Sequence, residues 1–390
     1  MKKIGIATQY TNSCNYGGVL QAFALCDKLN KEGYHADQIC YMDRGVSFKK
    51  KIKGSAKKGY LIRIIKNRIK ALFNKLIGRL NNSQIHISQF KAAFVEFRTN
   101  IPHTELTYNC DTITSCNDFD IYVTGSDQVW RIGRFHEISK FYWLSFADNN
   151  KTKISYAASI STKDIPHELY PNIKEILSSY KAISVREQQD KKIVDRIMGR
   201  DIARWVLDPT LLLSRKEWEE QCADNPFIGK HYVFAYILGD NKCQRKLVTD
   251  WAKKSNKIVI NIPYLLGQYR SCDRKFGDIR KSDVTPNLWL SLIRDADCVF
   301  TDSFHATVFS SIFHTPFYVF KRNKDTEKTS MNSRIYSLTE LLGCENRIIE
   351  NDADINSIPA LDDIDFIQAD KNVAIKKEES ISFLKDALEG

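Results

Sequence analysis

Short apolar runs alternate along the chain with stretches whose apolar positions recur every three or four residues. This alternation predicts a largely parallel sheet with helices on both faces. Strands are expected near 2–8, 35–41, 118–124, 153–158, 181–185 and 203–207, with helices near 17–32, 166–179 and 187–198. The pattern pauses at Leu207-Asp208-Pro209-Thr210. A second series then brings strands near 231–238, 257–261, 296–301 and 316–320, and helices near 241–255, 286–294, 305–313 and 333–342. An acidic, weakly patterned stretch from Glu350 to Asp370 precedes a last helical pattern at 371–388. The expected division is a first Rossmann-like domain at 1–207 with an insertion at about 44–100, a second at 208–370, and a C-terminal helix at 371–390.

Length supports that division, because 390 residues at 43% apolar composition exceed one ordinary core and suit two domains of roughly 150–200 residues. The opening Met-Lys-Lys-Ile-Gly-Ile-Ala is too short an apolar run for a secretory signal and reads as a buried strand. No later run approaches the ~20 apolar residues of a membrane-spanning helix. Ten cysteines show neither a Cys-x-x-Cys pair nor paired Cys/His ligand spacing. The expectation is a cytoplasmic chain in a reducing compartment, with no structural zinc and no metal in its site.

The net charge of +11 is concentrated rather than spread, since 13 Lys/Arg and no acidic residue lie between Arg44 and Leu80. Drawn as a helix, Tyr60 to Leu80 gathers its apolar residues into an arc of roughly 220° rimmed by Lys66, Lys70, Arg68, Lys75 and Arg79. Such a face suits an anionic membrane surface, and residues 49–80 are expected to contact one. A basic helix buried against the first domain fits the same pattern. No nucleic-acid-binding module accompanies the charge, so nucleic acid is not an expected partner.

Candidate chemistry sits where strands end. Asn15-Tyr16-Gly17-Gly18 leads the first strand into its helix, where glycines let the backbone approach a ligand and free N–H groups favour anions. A plain tight turn uses the same residues. Ser126, Asp127 and Gln128 follow the 118–124 strand, where open α/β sheets hold ligands. There Asp127 suits a base or a sugar-positioning group, or simply a cap. Arg186 ends the 181–185 strand, where its fork suits a carboxylate or phosphate, or a surface pair with Glu187 or Asp190. The sharpest segment runs Thr301-Asp302-Ser303-Phe304-His305, a buried strand passing into a helix whose first turn carries His305. Histidine exchanges protons near neutral pH. A satisfied structural histidine is the plain alternative.

Six ordered segments carry a resemblance to a known family: Asn15 to Leu25, Val123 to Trp130, Ser155 to Ser159, Ile183 to Glu187, Leu207 to Thr210 and Thr301 to Thr307. Together they resemble the polysaccharide pyruvyl transferases. The resemblance implies an α/β, GT-B-like fold of two Rossmann-like domains facing a cleft, the first on the acceptor side and the second on the donor side. It implies transfer of a pyruvyl group from phosphoenolpyruvate, as donor substrate and without a cofactor, onto two hydroxyls of a saccharide. His305 would be the acid or base, and Arg186 a donor ligand. Better-understood members carry Arg-Leu before the histidine, whereas Ser303-Phe304 stands here. Arg334, or Lys321 and Arg322, would then supply the missing cation. The acceptor is expected to be lipid-linked. A glycosyltransferase using a nucleotide sugar, or a non-catalytic saccharide- or lipid-binding relative, are the alternatives on the same fold.

Overall fold

Each half of the chain builds one parallel sheet from the apolar runs, in a computed structural model that describes residues 1–42, 83–132, 137–327, 330–351 and 353–389. In the first half, β1 (Lys3–Ala7), β2 (His35–Gln38), β3 (Ile121–Thr124) and β4 (Thr152–Ser155) pair in the order β2-β1-β3-β4. The pair β5 (Ile183–Val185) and β6 (Ala203–Trp205) extends that sheet through bridges of Ile154 to Ala182 and Ala158 to Val185. The second half contributes β7 (Tyr232–Tyr236), β8 (Ile258–Asn261), β9 (Ile279–Arg280), β10 (Cys298–Thr301), β11 (Phe317–Phe320) and β12 (Ile348–Ile349). Their order is β12-β11-β10-β7-β8-β9. Counted from β7, this is the Rossmann order, reversing between β7 and β10 where such sheets hold ligands. Central strands such as β7 and β10 are buried along their whole length, which is why they read as unbroken apolar runs.

The helices are α1 (Tyr16–Lys31), α2 (Ser83–Ala92), α3 (Val95–Thr99), α4 (Tyr170–Ser178), α5 (Gln188–Met198) and α6 (Arg215–Glu219). They continue with α7 (Lys242–Lys254), α8 (Pro286–Arg294), α9 (Phe304–Phe313), α10 (Ser333–Leu342) and α11 (Phe366–Glu389). All ten predicted strands are present. The two unpredicted ones, β9 and β12, have two residues each, too few to leave an apolar run. The five-residue α6 was also unpredicted, although Ser214 and Glu217 form a capping box at its start. Helix α11 begins five residues before its predicted start because the Asp365 carboxylate takes the Gln368 N–H at 2.9 Å. Of the predicted basic insertion, α2 and α3 are described, whereas the segment at 49–80, expected to contact a membrane, lies outside the described residues.

The halves are joined by an apolar core that contains residues of both sheets. Tyr16 of α1 stacks on Trp289 of α8, with ring centroids 5.1 Å apart, and its hydroxyl donates to the Val284 carbonyl at 2.8 Å. Trp218 sits between Phe23 of α1 and Phe309 of α9. Helix α11 then returns to the first half, where Ser380 accepts the Leu207 N–H at 3.0 Å and Lys385 pairs with Glu32 at 3.1 Å. Among the described residues, no helix is long and apolar enough to cross a membrane. All ten cysteines are unpaired.

Candidate active site

The carboxyl ends of the two sheets meet at a buried polar cluster. On the first sheet, Asp127, Ala157 and Ser161 hold φ angles of +70°, +53° and +57°. Each such non-glycine residue costs on the order of 1 kcal/mol, and strain of this kind gathers at functional sites. Beside them Arg186 leaves the end of β5. Its Nη1 donates to Asp208 Oδ2 at 2.9 Å, its Nε donates to Glu187 Oε1 at 2.9 Å, and Asp127 Oδ1 stands 3.7 Å from Nη1. The guanidinium lies 4.5 Å from the centroid of the Phe304 ring, and Nη2 has no partner. The arginine therefore does pair with Glu187, but the pair is buried rather than superficial, while Asp190 takes the Ile160 N–H instead.

Asp208 is the hub of the cluster. It caps the short turn at Pro209–Leu211, its Oδ1 accepting Thr210 N–H at 3.0 Å and Thr210 Oγ1 at 2.7 Å. Its Oδ2 accepts Ser126 Oγ at 2.9 Å as well as Arg186. The same Oδ2 stands 3.4 Å from Nε2 of His305, across from the second sheet. Burial alone would raise this carboxyl, but His305, then Arg186 and Thr210, hold it well below the usual carboxylate range.

On the second sheet, β10 delivers Asp302, Ser303 and His305. Ser303 caps α9 by accepting the Ala306 N–H at 3.5 Å. Asp302 is locked: it accepts the N–H groups of Leu238 and Gly239 at 2.8 and 2.7 Å, and Arg322 Nη2 at 3.1 Å. His305 is buried in the first turn of α9, and its Nε2 has no hydrogen-bond partner. Its ring packs on Gly17, where a Cβ would stand 2.0 Å from Nδ1. Gly17 thus makes room for the histidine itself.

Arg334 enters from the start of α10. It is buried, yet among the described residues it makes no ion pair, bonding only to the Met331 carbonyl at 3.4 Å and the Met331 sulfur at 3.8 Å. Burial, followed by repulsion from Arg186 and Arg322, pushes its guanidinium down to about 10. A buried cation held among other cations lacks an anion. Arg186, Asp208, Phe304 and Arg334 border a void of about 20 Å³, room for roughly one water.

The other expected residues stand in their own turns. Asn15 caps α1 by accepting the Gly18 N–H at 3.4 Å, and a Cβ on Gly18 would meet Ser13 Oγ at 3.3 Å. Tyr16 belongs to the core between the halves, and Gln128 accepts Arg131 at 3.1 Å. The structure gathers His305, Arg186, Arg334, Ser126 and Asp127 around Asp208, to which the sequence reading assigns no role, while Ser303 serves its own helix as a cap. Its signal is the Asp-Pro-Thr cap, which the sequence shows as a pause in the pattern and as one of the six family-like segments, without a role for the aspartate. Among the described residues, no group of three or more His, Cys, Asp or Glu side chains is arranged to hold a metal ion.

The sequence model of the family described as polysaccharide pyruvyl transferase matches residues 15–324, from the cap of α1 to the turn beyond β11. The chain belongs to this family. Comparison with curated protein sequences gives no match. Among solved structures, the wall teichoic acid polymerase TagF aligns at 11% identity with a TM-score of 0.50, covering 100% of this chain and 89% of that one. A UDP-GlcNAc 2-epimerase from Methanocaldococcus jannaschii aligns at 12% identity with a TM-score of 0.48, covering 96% of this chain and 92% of that one. The pyruvyl transferase family match thus sits on an α/β fold of two Rossmann-like halves of GT-B type.

Proposed function

We propose that this transferase moves a pyruvyl group from phosphoenolpyruvate onto two hydroxyls of a saccharide in cell-surface polysaccharide synthesis. The observation that carries the reading is Arg334, buried without an ion pair among the described residues and bordering one void with Arg186 and Asp208. Phosphoenolpyruvate brings a carboxylate and a phosphate, and cations fixed in a dry site stabilise charge developing on both. In the reaction, C3 of the enol takes a proton and C2 becomes oxocarbenium-like. One sugar hydroxyl adds to C2 and loses its proton. The C2–O bond to phosphate then breaks, and the second hydroxyl adds to close the ketal, its proton leaving with the phosphate. His305, through Nε2, is the group to exchange the proton, with the Asp208 carboxylate 3.4 Å away. Asp127 is the candidate to orient or deprotonate the acceptor.

The acceptor is proposed to be a saccharide on a lipid carrier, met at the inner face of the cell membrane. A nucleotide-sugar donor is less well served. The turn after β7, where Rossmann domains offer backbone N–H groups to phosphate, already has those of Leu238 and Gly239 bonded to Asp302. The test is phosphate release from phosphoenolpyruvate in the presence of saccharide acceptors, with His305→Gln as the comparison. The expected loss is about a hundredfold or more. Near-normal turnover in that variant removes His305 from the chemistry, and a wild-type protein stabilised by nucleotides but not by phosphoenolpyruvate favours the glycosyltransferase reading.

A further inference from the structure

Behind Arg186, away from the anion site, lies a pair of carboxyl groups that the mechanism does not use. Glu187 stands just before α5, with no side-chain bond to the helix N–H groups, and Asp190 follows in its first turn, both at 1% exposure. Glu187 Oε1 is occupied by Arg186 Nε at 2.9 Å, and Asp190 Oδ2 by the Ile160 N–H at 2.8 Å. The remaining oxygens, Glu187 Oε2 and Asp190 Oδ1, are buried and have no donor. The two side chains stand three residues apart at the start of the same helix, each with one buried oxygen that lacks a donor among the described residues. Ionised carboxylates only accept, so a bond between those two oxygens takes one proton.

We infer that Asp190 is a neutral acid whose Oδ1–H donates to Glu187 Oε2, and that it thereby positions Arg186 for the anion. The location of the proton follows from what faces each group. Asp190 is driven well above the ordinary carboxyl range by burial first, then by the charge of Glu187, against the opposing pull of the Ile160 N–H and Arg186. Burial also raises Glu187, but Arg186, the bond from Asp190 and the more distant Arg334 bring it below its ordinary value. Arg186 is further faced by Asp127 and Asp208. With Glu187 fixed on both oxygens, Nε is held by Glu187 and Nη1 by Asp208, which leaves Nη2 as the arm without a partner among the described residues. Asp190 is thus a positioning residue that acts through Glu187. The role of Arg186 as an anion ligand rests on the function proposed above, whereas the proton on Asp190 does not.

Two measurements separate these parts. Asparagine reproduces a protonated aspartate, with an amide donor toward Glu187 and a carbonyl for Ile160. Asp190 binds a proton in the folded state that the unfolded chain releases above about pH 3.9, so wild-type stability falls as pH rises beyond that value. The melting temperature of Asp190→Asn minus that of wild type should therefore become more positive between pH 5 and pH 8. A difference that stays constant or shrinks overturns the inference. In the second measurement, Asp190→Ala should raise the KM for phosphoenolpyruvate about tenfold with kcat little changed, and Asp190→Asn should recover most of that loss. An asparagine variant no better than the alanine one overturns the positioning role. A wild-type protein that does not use phosphoenolpyruvate at all sinks the donor assignment, and the melting series still decides where the proton lies.

Discussion

Gly17 of α1 and His305 of α9 come from different halves of the chain and touch, with no room between them for a methyl group: a Cβ on Gly17 would stand 2.0 Å from Nδ1 and 2.2 Å from Cγ of the ring. The position of the histidine is set by a glycine almost 300 residues away in sequence. Gly17→Ala should displace the ring from Asp208, and overpacking of this kind costs about 1–3 kcal/mol. Turnover should fall in the alanine variant nearly as far as in His305→Gln, with a lower melting temperature. A Gly17→Ala protein with wild-type turnover would show that the contact is not needed for the chemistry.

Arg334 and Arg186 should respond differently to removal, because among the described residues one makes no ion pair and the other has three carboxylate partners. Arg334→Met removes a buried cation repelled by Arg186 and Arg322, so the unliganded protein should keep or gain stability, by on the order of 1 kcal/mol. The KM for phosphoenolpyruvate should rise at least about tenfold. Arg186→Ala instead strands buried carboxylates and should destabilise the fold by about 3–5 kcal/mol. Urea unfolding of both variants checks the contrast. A large destabilisation by Arg334→Met would mean that this arginine supports the fold rather than a ligand.

Much of this site was legible because strand ends were visible as the points where apolar runs stop. Asp302, Ser303 and His305 follow such a run, and so do Ser126 and Asp127. Which groups pair across the halves was not legible. Asp208 lies where the chain leaves the first sheet for the second, and local pattern says nothing of an arginine 22 residues before it or a histidine 97 residues after it. Gly17 looked like a place for a ligand to approach, since the sequence cannot say whether the approaching group is a substrate or a side chain. Tyr16 looked polar enough for a site, yet its ring found Trp289 and its hydroxyl a carbonyl.

Acid should weaken the protein through Asp208. Its carboxyl is held well below the usual range when folded, so it contributes stability that is present above the unfolded value of about 3.9 and lost as pH falls further. Asp208→Asn should be markedly less stable than wild type at pH 7. Between pH 5 and pH 3 the gap should narrow by about 1 kcal/mol, because only the wild type has this ionisation to lose. Unfolding curves at the two pH values measure it. A gap independent of pH would mean that the fold does not hold this carboxyl below its unfolded value.

The last prediction rests on sequence alone. Thirteen Lys/Arg without one acidic residue between Arg44 and Leu80 are more than a helix packed on a domain requires. Each basic residue near an anionic surface contributes about 1 kcal/mol, and the attraction weakens as salt screens it. A lipid-linked acceptor would place the reacting hydroxyls at that surface, so attachment would raise the rate at which acceptor is met. Wild-type protein should co-sediment with liposomes containing anionic lipid at low salt and be released as salt rises. Changing Lys49, Lys50, Lys51, Lys53, Lys57 and Lys58 together to glutamine should abolish binding while leaving the melting temperature and the turnover of a water-soluble acceptor intact. If wild type stays in the supernatant even at low salt, the segment does not bind membranes. The lysine changes would then be expected to alter packing against the protein, and the melting temperature of the six-fold variant would be the quantity that moves.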